Sequence, residues 1–190
     1  MGEVIHAKDL RPGMTYLDNG NIYLVIENTF NKTSMAKAVI KVRVRNLRKG
    51  GVSWETLSED KYEKAEVLSN TMTYSYNDGQ NYVFMDDKTY ETVEIPLSKL
   101  EWEKKFITEG LTVRVQKFGD EILGISLPES VILTIKETEE APKNSGATAR
   151  LKKAVLENGE TIEIPEFIKQ GERVSIRTSD GSYIGRGKEE

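Results

Sequence analysis

Between Asn31 and Gly50 the chain carries no Asp or Glu and seven cations: Lys32, Lys37, Lys41, Arg43, Arg45, Arg48 and Lys49. The whole protein has a formal net charge of −4, so positive charge is gathered into this one window. Its second half alternates, with Ile40, Val42 and Val44 apolar and Lys41, Arg43 and Arg45 charged. Successive side chains of a β-strand point to opposite faces, so such a segment buries its valines and presents a row of cations. Ahead of it, Asn31 to Lys37 reads as a polar loop with two further cations. A cationic ridge ending in a projecting loop suits a polyanion, and RNA fits that chemistry. Lys32, Lys37, Lys41, Arg43, Arg45 and Arg48 are the candidate phosphate contacts, which position a nucleic acid without reading its sequence. The same alternation also describes the solvated outer face of an ordinary sheet.

Other chemistries find little support. The chain has no cysteine and one histidine, His6, so thiolate metal sites, disulfides and a cysteine nucleophile drop out. No metal-ligand cluster, paired carboxylates, nucleophile–base set or phosphate-cradling glycine loop is recognisable, and neither metal nor cofactor nor enzymatic activity is expected. The first thirty residues lack a signal-peptide core and no apolar run reaches membrane-spanning length, which reads as a soluble, cytoplasmic protein.

The elements that must carry the ridge read as strands. Asn19-Gly20, Asn77-Asp78-Gly79, Gly119-Asp120, Asn158-Gly159 and Asp180-Gly181 mark turns between short apolar or alternating runs. Ser98 and Glu101 form a capping box that predicts a helix with Leu100, Phe106 and Ile107 on its apolar face. Asp60 to Leu68 is a second, shorter helix candidate. Many short strands with regular turns predict an all-β chain of small barrels. Boundaries near Lys64–Val67 and Leu127–Val131 divide it into 1–65, 66–129 and 130–190. Units of about sixty residues stand near the lower limit of independent stability and are expected to pack on their neighbours. Tyr74, Tyr76, Tyr82 and Phe84 are read mostly as barrel core, and Glu137 to Arg150 as a long surface loop.

In order along the chain, several motifs resemble bacterial elongation factor P. They are Arg11-Pro12-Gly13-Met14, the window from Phe30 to Gly50 with Val44-Arg45-Asn46-Leu47-Arg48, and Tyr74 to Gly79 followed by Tyr82 to Asp86. Further on come Ile122 to Pro128, Lys153-Ala154, Ile164-Pro165-Glu166-Phe167-Ile168, and Thr178 to Tyr183. The resemblance implies a first KOW-like (SH3-like) barrel with a basic tip loop, then two OB-like barrels, in an L-shaped, tRNA-like arrangement. It implies a monomeric translation elongation factor whose partners are both ribosomal subunits, peptidyl-tRNA and ribosomal RNA. Such a factor speeds peptide-bond formation at stalls on consecutive prolines, with no membrane and no cofactor involved.

Two places depart from the family's usual pattern. Many members carry Lys-Pro-Gly-Lys at the tip, with the last lysine modified; here Lys32, Thr33, Ser34 and Met35 stand at those positions. A tip of Lys32, Thr33, Ser34, Met35, Ala36 and Lys37 therefore implies a factor that works unmodified, Met35 offering only a flexible apolar stem. In the third domain a Gly-Asp-Thr loop is common, whereas this chain has Asn144, Ser145 and Gly146 and lacks the acidic motif. Asn144 and Ser145 retain hydrogen-bonding capacity toward RNA. Tyr183 and Arg186 match the family's terminal strand and could contact RNA, though a strand tyrosine also serves as half-buried packing. Two other readings stay open: a paralogous elongation factor P-like protein of different stall specificity, and a generic OB-type RNA binder.

Overall fold

The computed structural model describes residues 2–31, 39–140 and 150–187. Its contacts divide the chain into two compact units, Met1–Ser69 with Gln116–Gly124, and Asn70–Val115 with Ile125–Glu190. Nearly all regular structure is β, as the turn spacing predicts.

The first unit is built on a six-stranded sheet. Its strands are β1 (Val4–His6), β2 (Thr15–Asp18), β3 (Asn21–Asn31), β4 (Val39–Asn46), β5 (Val52–Leu57) and β6 (Lys61–Lys64). Their order is β1-β6-β2-β3-β4-β5. Asn19 and Gly20 join β2 to β3 with φ of 47° and 74°, the left-handed pair that a two-residue hairpin with matching twist demands. Leu10, Tyr16, Val25, Val42, Val44 and Tyr62 form the core of this unit. The Tyr16 ring meets Tyr62 edge-on at 5.2 Å. Burial, reinforced by Tyr62, pushes the Tyr16 hydroxyl well above the usual tyrosine range. Its folded pKa is raised, so that contribution is intact below the ordinary tyrosine pKa and fades as alkaline pH ionises the unfolded chain. The helix expected over Asp60 to Leu68 is instead strand β6 followed directly by another strand. Tyr62 is buried while Lys61 and Glu63 are exposed, a period of two that seats Tyr62 opposite Ile5 and overrides the local helix propensity.

A five-stranded sheet follows, formed by β7 (Val67–Asn77), β8 (Asn81–Met85), β9 (Thr92–Pro96), β10 (Thr112–Phe118) and β11 (Glu121–Ser126). Its order is β11-β10-β7-β8-β9. At the turn between β7 and β8, Asp78 accepts hydrogen bonds from the Gln80 and Asn81 N–H groups at 2.8 and 2.7 Å. Those bonds hold its carboxyl below the usual range, so their contribution is present at neutral pH and lost as acid protonates the group. Phe84 is fully buried, but Tyr74 and Tyr82 are half-buried and Tyr76 is exposed. A bulge between Tyr74 and Tyr76 pairs them with Phe84 and Val83. Those two neighbours lie on opposite faces of β8, so Tyr76 leaves the face that Tyr74 occupies.

The segment after β9 differs from the single helix that its capping box predicts. It forms two 3₁₀ turns, Leu97–Lys99 and Glu103–Lys105, and neither has a side-chain cap. Tertiary bonds hold it instead. The Trp102 Nε1–H donates to the Thr178 carbonyl at 2.9 Å, and the Asn158 side-chain amide donates to the Lys105 carbonyl. Leu100 and Phe106 are buried, and Lys105 lies 5.0 Å over the Trp102 ring. A helix this short is marginal in isolation, so packing decides its conformation.

The last sheet contains β12 (Ser130–Thr138), β13 (Leu151–Leu156), β14 (Thr161–Pro165), β15 (Arg173–Arg177) and β16 (Tyr183–Arg186), ordered β14-β13-β12-β15-β16. Leu133, Ile135, Leu156, Ile164, Ile168, Val174 and Ile176 are its core, with Phe106 packed among them. The loop expected from Glu137 begins later, because β12 continues through Glu137 and Thr138 opposite Val155 and Ala154. Trp102→Phe keeps an aromatic ring but removes the indole donor and part of the packed surface, and should lower the unfolding free energy by at least about 1 kcal/mol. Urea denaturation checks this, and an unchanged midpoint would mean that the bond to Thr178 contributes nothing.

Candidate nucleic-acid interface

The ridge is built by β4 and its two neighbours. Val42 and Val44 are completely buried, which leaves Lys41, Arg43 and Arg45 exposed on the other face. At about 3.4 Å per residue, alternate cations stand about 7 Å apart. Pairing with β3 sets Thr29 opposite Lys41, Glu27 opposite Arg43 and Leu24 opposite Arg45. The Thr29 hydroxyl donates to the Lys41 carbonyl at 3.1 Å. Pairing with β5 sets Thr56 opposite Lys41, Trp54 opposite Arg43 and Val52 opposite Arg45.

The end of β4 is fixed by side-chain bonding. Asn46 Oδ1 accepts from the Arg48 and Lys49 N–H groups at 3.0 and 2.9 Å, while its amide donates to Asn21 Oδ1 at 3.1 Å. Gly50 and Gly51, at φ of 77° and 86°, then return the chain into β5, a left-handed path that side chains resist. Arg48 is separated from the row of three. Its guanidinium grips Glu121 at 3.1 and 2.8 Å, donates to the Gly20 carbonyl at 2.6 Å and lies 5.7 Å over the Phe118 ring. This cation is committed within its own unit, whereas Lys41, Arg43 and Arg45 form the continuous row.

The tip residues Lys32, Thr33, Ser34, Met35, Ala36 and Lys37 lie outside the described residues, as do Asn144, Ser145 and Gly146; β3 and β4 bracket the former at Asn31 and Val39. Tyr183 is half-buried and packs against the core of the last sheet. Arg186 pairs with Glu172 at 3.2 Å and lies 5.2 Å over the Phe167 ring. Two residues of the ridge face escape the sequence reading: Trp54, 52% exposed, and Val52, 46% exposed. Their alternation with Ser53 and Glu55 is visible in the sequence. Which half of it faces the cations depends on the register with β4. Among the described residues no group of three His, Cys, Asp or Glu could hold a metal ion, and no helix is long and apolar enough to cross a membrane.

The family model for the elongation factor P KOW-like domain matches residues 6–62, that for its OB domain matches 67–125, and that for its C-terminal domain matches 131–186. Elongation factor P of Ureaplasma parvum is 48% identical over 188 residues, covering 99% of this chain and 100% of the relative. That of Malacoplasma penetrans is 46% identical over the same shares. Among solved structures, eukaryotic translation initiation factor 5A from Methanococcus jannaschii matches with a TM-score of 0.48 at 18% identity, over 66% of this chain and 92% of that one. The chain belongs to the elongation factor P family and is a translation elongation factor.

Because the three cations of β4 are exposed and make no core contact, Arg43→Ala with Arg45→Ala should change the unfolding free energy by no more than about 0.5 kcal/mol. Thermal or urea denaturation checks this; a drop of several kcal/mol would make the row structural.

Proposed function

We propose that this factor binds the ribosome beside peptidyl-tRNA and stimulates peptide-bond formation, relieving stalls at consecutive prolines. One observation carries the reading: an unbroken row of exposed cations on a strand that leads directly out of the tip segment, in a chain of this family. In this reading the cytoplasmic protein has three modules, 1–65, 66–129 and 130–190. The ridge of Lys41, Arg43 and Arg45 lies along ribosomal or transfer RNA phosphates, and the segment from Lys32 to Lys37 faces the acceptor end of peptidyl-tRNA. Arg48, Tyr183 and Arg186 are secondary contacts, the arginines having to exchange an internal carboxylate for a phosphate. The third-domain residues Asn144, Ser145 and Gly146 supply at most neutral hydrogen bonds to RNA.

Nothing in this mechanism requires the protein to make or break a bond. A proline substrate is conformationally restricted, and holding the tRNA end so that attack geometry is reached more often lowers the barrier by orientation alone. That effect is worth about 7–11 kcal/mol at its upper end, and the chemistry stays with ribosomal RNA. Met35 at the usual lysine position supports a factor that works without a modified side chain.

The direct test is the rate of proline–proline bond formation on purified ribosomes with the recombinant, unmodified chain. Acceleration is expected; bound factor without acceleration would refute the unmodified mechanism. The ridge itself is tested by salt dependence. Reversing Arg43 and Arg45 to Glu should flatten the plot of log affinity against log salt by about 0.7–0.9 for each phosphate that is no longer neutralised. An unchanged slope would mean that the row faces solvent.

A further inference from the structure

The first four residues of strand β5 have their polarity inverted relative to the core. Ser53 and Glu55 stand opposite the buried Val44 and Val42, while Val52 and Trp54 stand opposite Arg45 and Arg43. Directly paired residues share a face, so Val52 and Trp54 lie among the cations while Ser53 and Glu55 take the valine side, where only Leu57, opposite Ile40, is apolar and packs on the core. The hydroxyl of Ser53 donates to Glu55 at 2.7 Å, which ties the polar members to each other. Hydrophobic burial therefore does not explain why Trp54 stands where it does: it is 52% exposed, next to Val52 at 46%. It sits beside Arg43 on the last strand of the sheet order, with no further strand paired to that flank among the described residues.

We propose that Trp54 is a stacking platform for an unpaired nucleotide of the RNA that the ridge binds, with Arg43 and Arg45 holding the phosphates of the same strand. The inference rests on the ridge reading above and adds the kind of RNA bound. Cations alone serve duplex and single strand alike, because phosphates line both. An exposed indole gains little from a duplex, whose base faces are covered, but stacks on any base that is splayed out. An aromatic ring paired in register with an arginine is the combination that holds a base and its phosphate together. Val52 extends the apolar strip alongside the ring.

The protein has two tryptophans, so Trp102→Phe leaves Trp54 as the sole reporter. Titration with oligoadenylate should quench its emission, whereas an RNA duplex of equal length should bind through charge with little quenching. Without altering Trp102, anisotropy of labelled oligoadenylate should show Trp54→Ala binding roughly tenfold more weakly, Trp54→Phe recovering most of that affinity, and the salt slope unchanged. Salt-dependent binding that ignores Trp54 would overturn the stacking role alone. Binding with no salt dependence would overturn the ridge and the platform together. Quenching by whole ribosomes, with none by oligoadenylate or deproteinised ribosomal RNA, would identify a protein contact and overturn the proposal.

Discussion

The burial of Val42 and Val44 is the constraint on which the ridge depends. Both side chains are wholly removed from solvent within the core that also holds Leu10, Tyr16, Val25 and Tyr62. A strand has a period of two, so a one-residue slip would turn Lys41, Arg43 and Arg45 into that core and the valines out of it. Burying unpaired cations costs far more than any alternative pairing could return. The valines thus fix the direction of the cations without touching them, and core packing and the cationic row are encoded on opposite faces of the same eight-residue strand.

Local devices limit where the charged row starts and stops. Asn46 ends β4 by bonding the N–H groups that follow it, and Gly50 and Gly51 turn the chain back. Arg48, beyond that end, is drawn to Glu121 and the Gly20 carbonyl. Exposed ion pairs contribute little to stability, so the main consequence of this one is to take Arg48 out of the row. A bulge in β3 between Val25 and Glu27 sets Glu27 beside Arg43, an acidic neighbour paired to the ridge. The face is therefore a short, graded charge pattern, in keeping with a protein whose total charge is negative.

Much of this is legible in the sequence because it depends on local rules. The alternation of β4, the five turn motifs and the core valines and isoleucines follow from side-chain period and left-handed turn chemistry. The capping box at Ser98 misleads because Trp102 finds a partner at Thr178 and Lys105 finds partners at Asn158 and Glu160, and partners so distant in sequence have no local signature. Tyr76 misleads for the related reason that a bulge reverses faces within two residues. Trp54 escapes a reading of the sequence because its side of β5 is decided by register with β4, and an edge strand obeys the core's polarity less strictly than a central one.

Edge position and the exposed apolar pair Val52 and Trp54 would together change what the proposed ridge can select. A purely cationic face attracts any polyanion, and its affinity is set by salt and phosphate count. Adding an exposed ring and a valine to that face supplies a non-ionic component that salt does not screen, and it favours partners with exposed base or sugar surface. In the proposed function, an acidic chain that must find one RNA environment among many benefits from that division. Charge would bring the polyanion close, and apolar contact would reward only the strand whose bases are free. The cost is an exposed apolar strip on a sheet edge, a feature that invites self-association, and the neighbouring row of like charges opposes that association between copies of the same chain.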